Sequence, residues 1–127
     1  DLPPAQGDAA LLSQVLSNLY QNAVKYAPKG GKILTRVSCD DQTVSITILD
    51  HGIGIRDTEI ERVFERFYRA GGNPSVRGTG LGLYLSHHLI EVQGGQISAS
   101  SPGLGSGAEF TVTLPIDPDW IPDAAEE

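Results

Sequence analysis

Two asparagines and a lysine recur at helical spacing near the start of this 127-residue chain. In DAALLSQVLSNLYQNAVKYA, residues 8–27, Asn18, Asn22 and Lys25 are separated by four and then three positions, so they form one stripe on a helix. Leu12, Val15, Leu16, Leu19, Ala23 and Tyr26 occupy the adjoining flank, which reads as the core face. One asparagine would read as a poor helix former left on an exposed stripe. Two at i, i+4 with a lysine beyond them place carboxamides and an ammonium at the edge of a buried surface, where a ligand can meet them.

A second chemical signal lies at Asp50. Thr43–Asp50 alternates, with Val44, Ile46 and Ile48 inward, and the same parity turns Asp50 inward at the strand's end. A carboxylate pointing at a core must find donors, because burying it unpaired is costly. Asp50 opens Asp-His-Gly-Ile-Gly, residues 50–54. Alone, that run equally fits an Asx-type turn in which Asp50 caps its own loop.

The third signal is Gly78-Thr79-Gly80-Leu81-Gly82-Leu83, opening a helix whose core stripe is expected to be Leu81, Leu85, Leu89 and Val92. N–H groups at a helix start lack partners and carry partial positive charge, and glycine lets an anion approach them. The run is neither G-x-x-x-x-G-K-[ST] nor a dinucleotide fingerprint in a βαβ context.

The remaining segments must position these groups. Asp8 supplies an N-cap for the first helix, after a proline-broken lead-in, and Pro28 with Gly30-Gly31 ends it. Lys32–Cys39 alternates with Ile33, Thr35, Val37 and Cys39 on one face, and joins Thr43–Asp50 through a DDQ turn as an antiparallel pair. A further helix is expected from Thr58, with Glu61 completing a capping box and Ile60, Val63, Phe64 and Phe67 as core face. Its ERFYR end leaves Arg66 and Arg69 beside Ala70–Arg77, an aperiodic Gly/Asn/Pro/Ser loop. Gln96–Ser100 and Ala108–Leu114 are two more strands joined by SPGLGSG, the second placing Ala108, Phe110, Val112 and Leu114 inward.

Composition narrows the function classes. The length suits one domain with a single core. The net charge of −7 is concentrated in the tail from Asp117, which holds five acidic residues; the body has nine basic and eleven acidic ones. No basic stripe remains for nucleic acid. No apolar run is long enough to span a bilayer, so a soluble, cytoplasmic segment without direct membrane contact is expected, compatible with a membrane-bound parent. The single cysteine, Cys39, excludes an internal disulfide, and its strand position points to a packing role. Twelve of fifteen glycines fall between Gly52 and Gly107, at junctions where backbone could approach a ligand.

Taken in order, the Asn-x-x-x-Asn helix, the inward Asp with its glycines, the Phe-rich helix ending in arginines and the glycine-alternating helix start describe a pocket for a magnesium nucleotide. This set resembles the ATP-binding catalytic domain of sensor histidine kinases, within the superfamily that includes gyrase, MutL and heat-shock chaperone ATPases. SQVLSNLYQNAVKYAP resembles the N box, DHGIGI the G1 box, FERFYR the F box, GTGLGL the G2 box and GSGAEFTVTLP the closing strand.

The resemblance implies an α/β two-layer sandwich of the Bergerat type, three helices on one face of a mixed, largely antiparallel sheet, with residues 1–116 as the domain and 117–127 as an acidic tail. It implies ATP and Mg²⁺ as cofactors. Asn22 would be the metal ligand, Asn18 would assist at the phosphates or metal, Lys25 would add charge there, and Tyr26 would stack on adenine. Asp50 would accept from the adenine amino group, with Gly52 and Gly54 admitting the base and Ile53, Ile55 and Leu83 as apolar wall. Arg69 would reach the γ-phosphate, and Gly78, Thr79, Gly80, Leu81 and Gly82 would form the phosphate cradle, with Ala70–Arg77 closing over it.

His51 stands where the family commonly has Asn, and Ala108 where Ser or Thr is common. The family usually has a strand upstream of DLPP, so an edge strand is expected to be missing, and no H-E-x-x phosphoacceptor helix is present. The implied partners are therefore the phosphoacceptor and dimerisation helices of a parent kinase, with a response regulator acting indirectly, while the isolated domain is monomeric. An ATP-hydrolysing clamp of the same superfamily is the rival reading, and a nucleotide-binding interaction module a third. Hydrolysing relatives place a Glu one turn before the magnesium Asn; Asn18 stands there, and a carboxamide is not a usable base.

Overall fold

The computed structural model describes residues 7–26, 31–66 and 82–117. Helix α1 spans Ala9–Lys25. Asp8 caps it as expected: its backbone is extended, and its Oδ1 accepts from the N–H groups of Ala10 (2.8 Å) and Leu11 (3.1 Å). Val15, Leu19 and Ala23 are buried, with Leu12 and Leu16 packed partly against the same core.

Four antiparallel strands form one open sheet, ordered β1-β2-β4-β3: β1 Leu34–Cys39, β2 Thr43–Leu49, β3 Gln96–Ser100 and β4 Glu109–Pro115. Cross-strand register sets Ile48 beside Phe110, Ile46 beside Val112 and Val44 beside Leu114, and brings Ile97 of β3 to Val112. Ile48, Ile97, Phe110, Val112 and Leu114 make the core with α1, while Val44 is buried outside that cluster and Ile46 is half-buried. The opposite face is polar, with hydroxyl pairs Ser45–Thr113 (3.2 Å) and Thr47–Thr111 (3.1 Å). The β1–β2 turn is held by Asp40, whose Oδ1 accepts from Gln42 N–H, Thr43 N–H and the Thr43 hydroxyl.

Helix α2, Gly82–Val92, lies against α1 and β3. A 3₁₀ helix, Asp57–Arg62, completes the three helices over the sheet. It differs from the expected helix begun by a Thr58–Glu61 capping box. The turn already starts at Asp57, after an extended Arg56, so Thr58 sits inside it and no side chain caps it. Glu59 N–H reaches back three residues to Arg56 C=O instead, the tighter 3₁₀ pattern. Ile60, Val63 and Phe64 face the core as expected, and Phe64 meets Phe110 edge-on, with centroids 6.2 Å apart. Phe67 lies outside the described residues.

The face of α2 also differs from expectation. Leu85 and Val92 are 46% and 62% exposed, while Ser86 and Ile90 are fully buried, with Leu83 and Leu89 flanking them. The helix is apolar on several sides, so spacing alone does not select the inward one, and the buried stripe carries a serine. At the sheet edge, all six β1 residues are exposed. Thr35, Val37 and Cys39 do share the face of Ile48, Ile46 and Val44, and the Tyr20 hydroxyl of α1 bonds that of Thr35. Cys39 is consequently an exposed thiol and not a packed core residue.

Candidate nucleotide site

Between α1, the 3₁₀ helix and the start of α2 lie two adjoining cavities. The inner one, about 360 Å³, is lined by Asn22, Tyr26, Asp50, Gly54, Ile55, Val63, Leu83, Ala108 and Phe110. The outer one, about 480 Å³, is lined by Asn18, Gln21, Asn22, Lys25, Tyr26, Val63, Gly82 and Leu83. Asn22, Tyr26, Val63 and Leu83 border both, so the two form one cleft with an apolar inner end and a polar outer end.

Asp50 is the polar anchor of the inner end. It is 3% exposed, and its Oδ1 accepts from Gly52 N–H (2.8 Å) and Ala108 N–H (3.1 Å). The Gly52 bond is the Asx turn, so that reading of Asp50 holds for one oxygen. Among the described residues no donor reaches Oδ2, which leaves a buried acceptor beside the cavity for a ligand's N–H.

The loop after Asp50 is threaded through tight backbone contacts. Ile53 N–H donates to Tyr26 C=O (2.9 Å) and Ile53 C=O accepts from Gly105 N–H (2.7 Å). Gly54 adopts φ +75°, and a Cβ there would run into the Gly103 carbonyl oxygen. Gly54 lines the cavity, whereas Gly52 lies against the Tyr26 carbonyl and Ile53 faces neither cavity. Ile55 and Leu83 line the inner cavity, at the positions where the resemblance implies an apolar wall.

At the outer end, Asn18, Asn22 and Lys25 converge as their spacing predicts, and Tyr26 joins them from the adjoining flank, its ring centre 5.5 Å from Lys25 Nζ. Asn18 has a structural engagement besides: its Nδ2 donates to Ser86 Oγ (3.3 Å) and approaches Gly82 C=O (3.5 Å). A Cβ at Gly82 would meet nothing within 4 Å among the described residues, so internal packing does not demand glycine there. Arg69, Gly78, Thr79, Gly80 and Leu81, and the expected closing loop Ala70–Arg77, lie outside the described residues.

Sequence reasoning missed Gln21, Val63 and Phe110 as lining residues, and read Ala108 as an inward strand position and a departure from the family but not as lining. Gln21 was findable, since it shares the Asn18–Asn22–Lys25 stripe at i+3. Phe110 reads as core by alternation, and only the cavity's position shows that its side chain is also a wall. His51, the other departure, turns away from the cleft and donates from Nδ1 to Lys32 C=O (2.8 Å).

The sequence and the fold have relatives among known proteins. The profile described as "Histidine kinase-, DNA gyrase B-, and HSP90-like ATPase" matches residues 7–118. The chain belongs to that family. Among family members, it is 36% identical over 121 residues to the sensor histidine kinase WalK of Bacillus subtilis (strain 168), an alignment covering 89% of this chain and 20% of WalK. The mycobacterial sensor histidine kinase MprB superposes with a TM-score of 0.81 at 31% identity, covering 90% of this chain and 78% of that one. Full-length ShkA, in a crystal structure with AMPPNP, matches with a TM-score of 0.76 at 33% identity over 91% of this chain and 23% of ShkA. The chain thus spans about a fifth of the length of WalK. No described helix of this family member is long and apolar enough to cross a membrane.

Proposed function

We propose that this ATPase-family domain binds Mg-ATP in the cleft and presents the γ-phosphate to a histidine on a separate dimerisation and phosphoacceptor domain of a parent kinase. The observation that carries the reading is the unshared Oδ2 of buried Asp50. Its partner must be a donor inside an apolar cavity, and the exocyclic amino group of adenine is such a donor. ShkA's structure with the ATP analogue AMPPNP supports the same ligand class.

Tyr26, Ile55, Val63, Leu83 and Phe110 would enclose the base, and Asn18, Gln21, Asn22 and Lys25 would face the phosphates. Among the described residues no group of three His, Cys, Asp or Glu could hold a metal. The donor set instead fits Mg²⁺, a hard cation that commonly takes one or two protein oxygens together with substrate phosphates. The Asn22 carboxamide oxygen would hold it, and the ion would supply neutralisation of phosphate charge. Phosphoryl transfer asks chiefly for positioning and charge stabilisation. Asn18 supplies no base for water, which favours transfer over the hydrolysing clamp of the superfamily.

Residues 1–116 are proposed as the catalytic unit, 117–127 as an appended acidic tail, and the segment as cytoplasmic. The deciding experiment mixes the chain with Mg-ATP and fragments carrying candidate phosphoacceptor helices, and assays acid-labile phosphohistidine. Phosphate released to water at the same rate with and without every acceptor would instead support the clamp.

A further inference from the structure

Ser101 lies in the loop between β3 and β4 and borders neither cavity. Its hydroxyl is nevertheless fully used. It accepts from Ile55 N–H (3.0 Å) and Gly103 N–H (3.2 Å), and donates to Gly107 C=O at 2.6 Å; the Gly103 carbonyl, at 3.3 Å, is the weaker alternative. One proton and two lone pairs are the whole capacity of a serine hydroxyl. All three principal partners are backbone groups, and Ile55 belongs to a segment 46 residues away in the chain.

The Gly107 bond has a directed consequence. The carbonyl that Ser101 holds and the Ala108 N–H that donates to Asp50 Oδ1 belong to one peptide group. That group is planar and rigid, so fixing its oxygen fixes the direction of its N–H. Gly107 sits at φ +76°, and its N–H, in the preceding peptide group, is tied to Gly52 C=O (3.1 Å), which anchors the residue that carries the carbonyl. The second acceptor bond, from Ile55 N–H, locks the Gly54–Ile55 peptide that edges the inner cavity.

We infer that Ser101 is a positioning residue for base recognition: through the Gly107–Ala108 peptide it sets the Asp50 carboxylate so that Oδ2 meets the ligand's amino group. The inference rests on the reading of Asp50 as adenine acceptor. Hydrogen bonds in series also polarise one another, so the donor that Asp50 receives is strengthened by the one Ser101 gives.

The test compares binding of ATP and of purine riboside triphosphate, which is ATP without its 6-amino group, to the 127-residue chain. The unmodified chain should prefer ATP by about tenfold. Ser101→Ala should reduce that preference to roughly two- to threefold, and Ser101→Thr, which keeps the hydroxyl, should restore it. If Ser101→Ala does not fold, Ser101→Cys, with its weak thiol donor, is measured in the same way and should show the reduced preference. A purely structural serine would weaken both nucleotides by one common factor. That result, or an unchanged preference in the variant, overturns the inference. An unmodified chain that binds both nucleotides equally removes the Asp50 reading itself, and the inference with it.

Discussion

Asn18 on α1 donates to the hydroxyl of Ser86 on α2 across 3.3 Å, and Ser86 is completely buried. The bond joins the two helices that border the outer cavity, and its carboxamide is one of the groups exposed to that cavity. Removing either side should therefore loosen the α1–α2 contact. Ser86→Ala and Asn18→Ala should each cost about 1 kcal/mol in urea unfolding, and the double variant less than the sum of the two. Additive losses would show that the pair is not coupled.

Asp50→Asn should bind ATP more weakly by about 1–3 kcal/mol and lose selectivity for adenine. The carboxamide oxygen can still accept from Gly52 and Ala108, which turns its NH₂ toward the cavity, donor against donor. Calorimetry with ATP and GTP checks this. Equal affinities for the unmodified chain would sink the assignment.

Asn22→Ala should abolish the magnesium dependence of nucleotide binding and leave the fold intact, since Asn22 is only half-buried and borders both cavities. Titration of the variant at fixed ATP and varied Mg²⁺ is the measurement. An unchanged metal dependence excludes Asn22 as ligand, and loss of folding would mark it as structural.

The chain should not phosphorylate its own histidines. None of His51, His87 and His88 lines either cavity. His51 is bound to the Lys32 carbonyl, and His87 lies between the Phe64 ring (5.3 Å) and Glu91 (3.1 Å). From Gly82, where α2 begins, His87 and His88 are five and six residues on, roughly 8–9 Å at the helical rise, too far for in-line attack on a phosphate held at that end. Incubation with labelled ATP and mapping of acid-labile sites should find no stoichiometric phosphate on any of the three.

Acid should weaken the β1–β2 turn. The Asp40 carboxyl is held below its ordinary 3.8, chiefly by the Gln42 and Thr43 N–H groups and then by the Thr43 hydroxyl. A depressed folded value means that its contribution is present above the unfolded pKa and is lost as pH falls through the folded one. Asp40→Asn should therefore lower the urea midpoint at neutral pH, with a gap from the unmodified chain that narrows as pH falls below 3.8. A gap independent of pH would assign the effect to something other than the charge.

Much of the site was legible because it follows from strict periodicity. Parity along β2 turned Asp50 inward, and helical spacing gathered Asn18, Asn22 and Lys25 on one edge of α1, where the structure finds them. The parts that were not legible depend on partners distant in sequence. Leu85 and Ser86 exchanged roles because α2 offers apolar residues on more than one side, and the choice of face is made by what α1 presents, including Asn18. Ser101 gave no sign of its role, since its loop reads as a turn and its chief partners are backbone groups of no particular residue type. The Thr58–Glu61 pair had the right spacing for a cap but begins one residue too late, because the extended Arg56 brings the chain into its turn at Asp57.

The bare edge of β1 has a consequence for handling and for evolution. A strand whose outer backbone groups lack a neighbour among the described residues is a template for adding another strand, and Leu34 and Val37 make this one adhesive. Arg36 stands between them and is exposed, so its charge acts as a gatekeeper against stacking of like chains. Replacing Arg36 with an apolar residue would leave the cleft lining untouched and favour edge-to-edge aggregation.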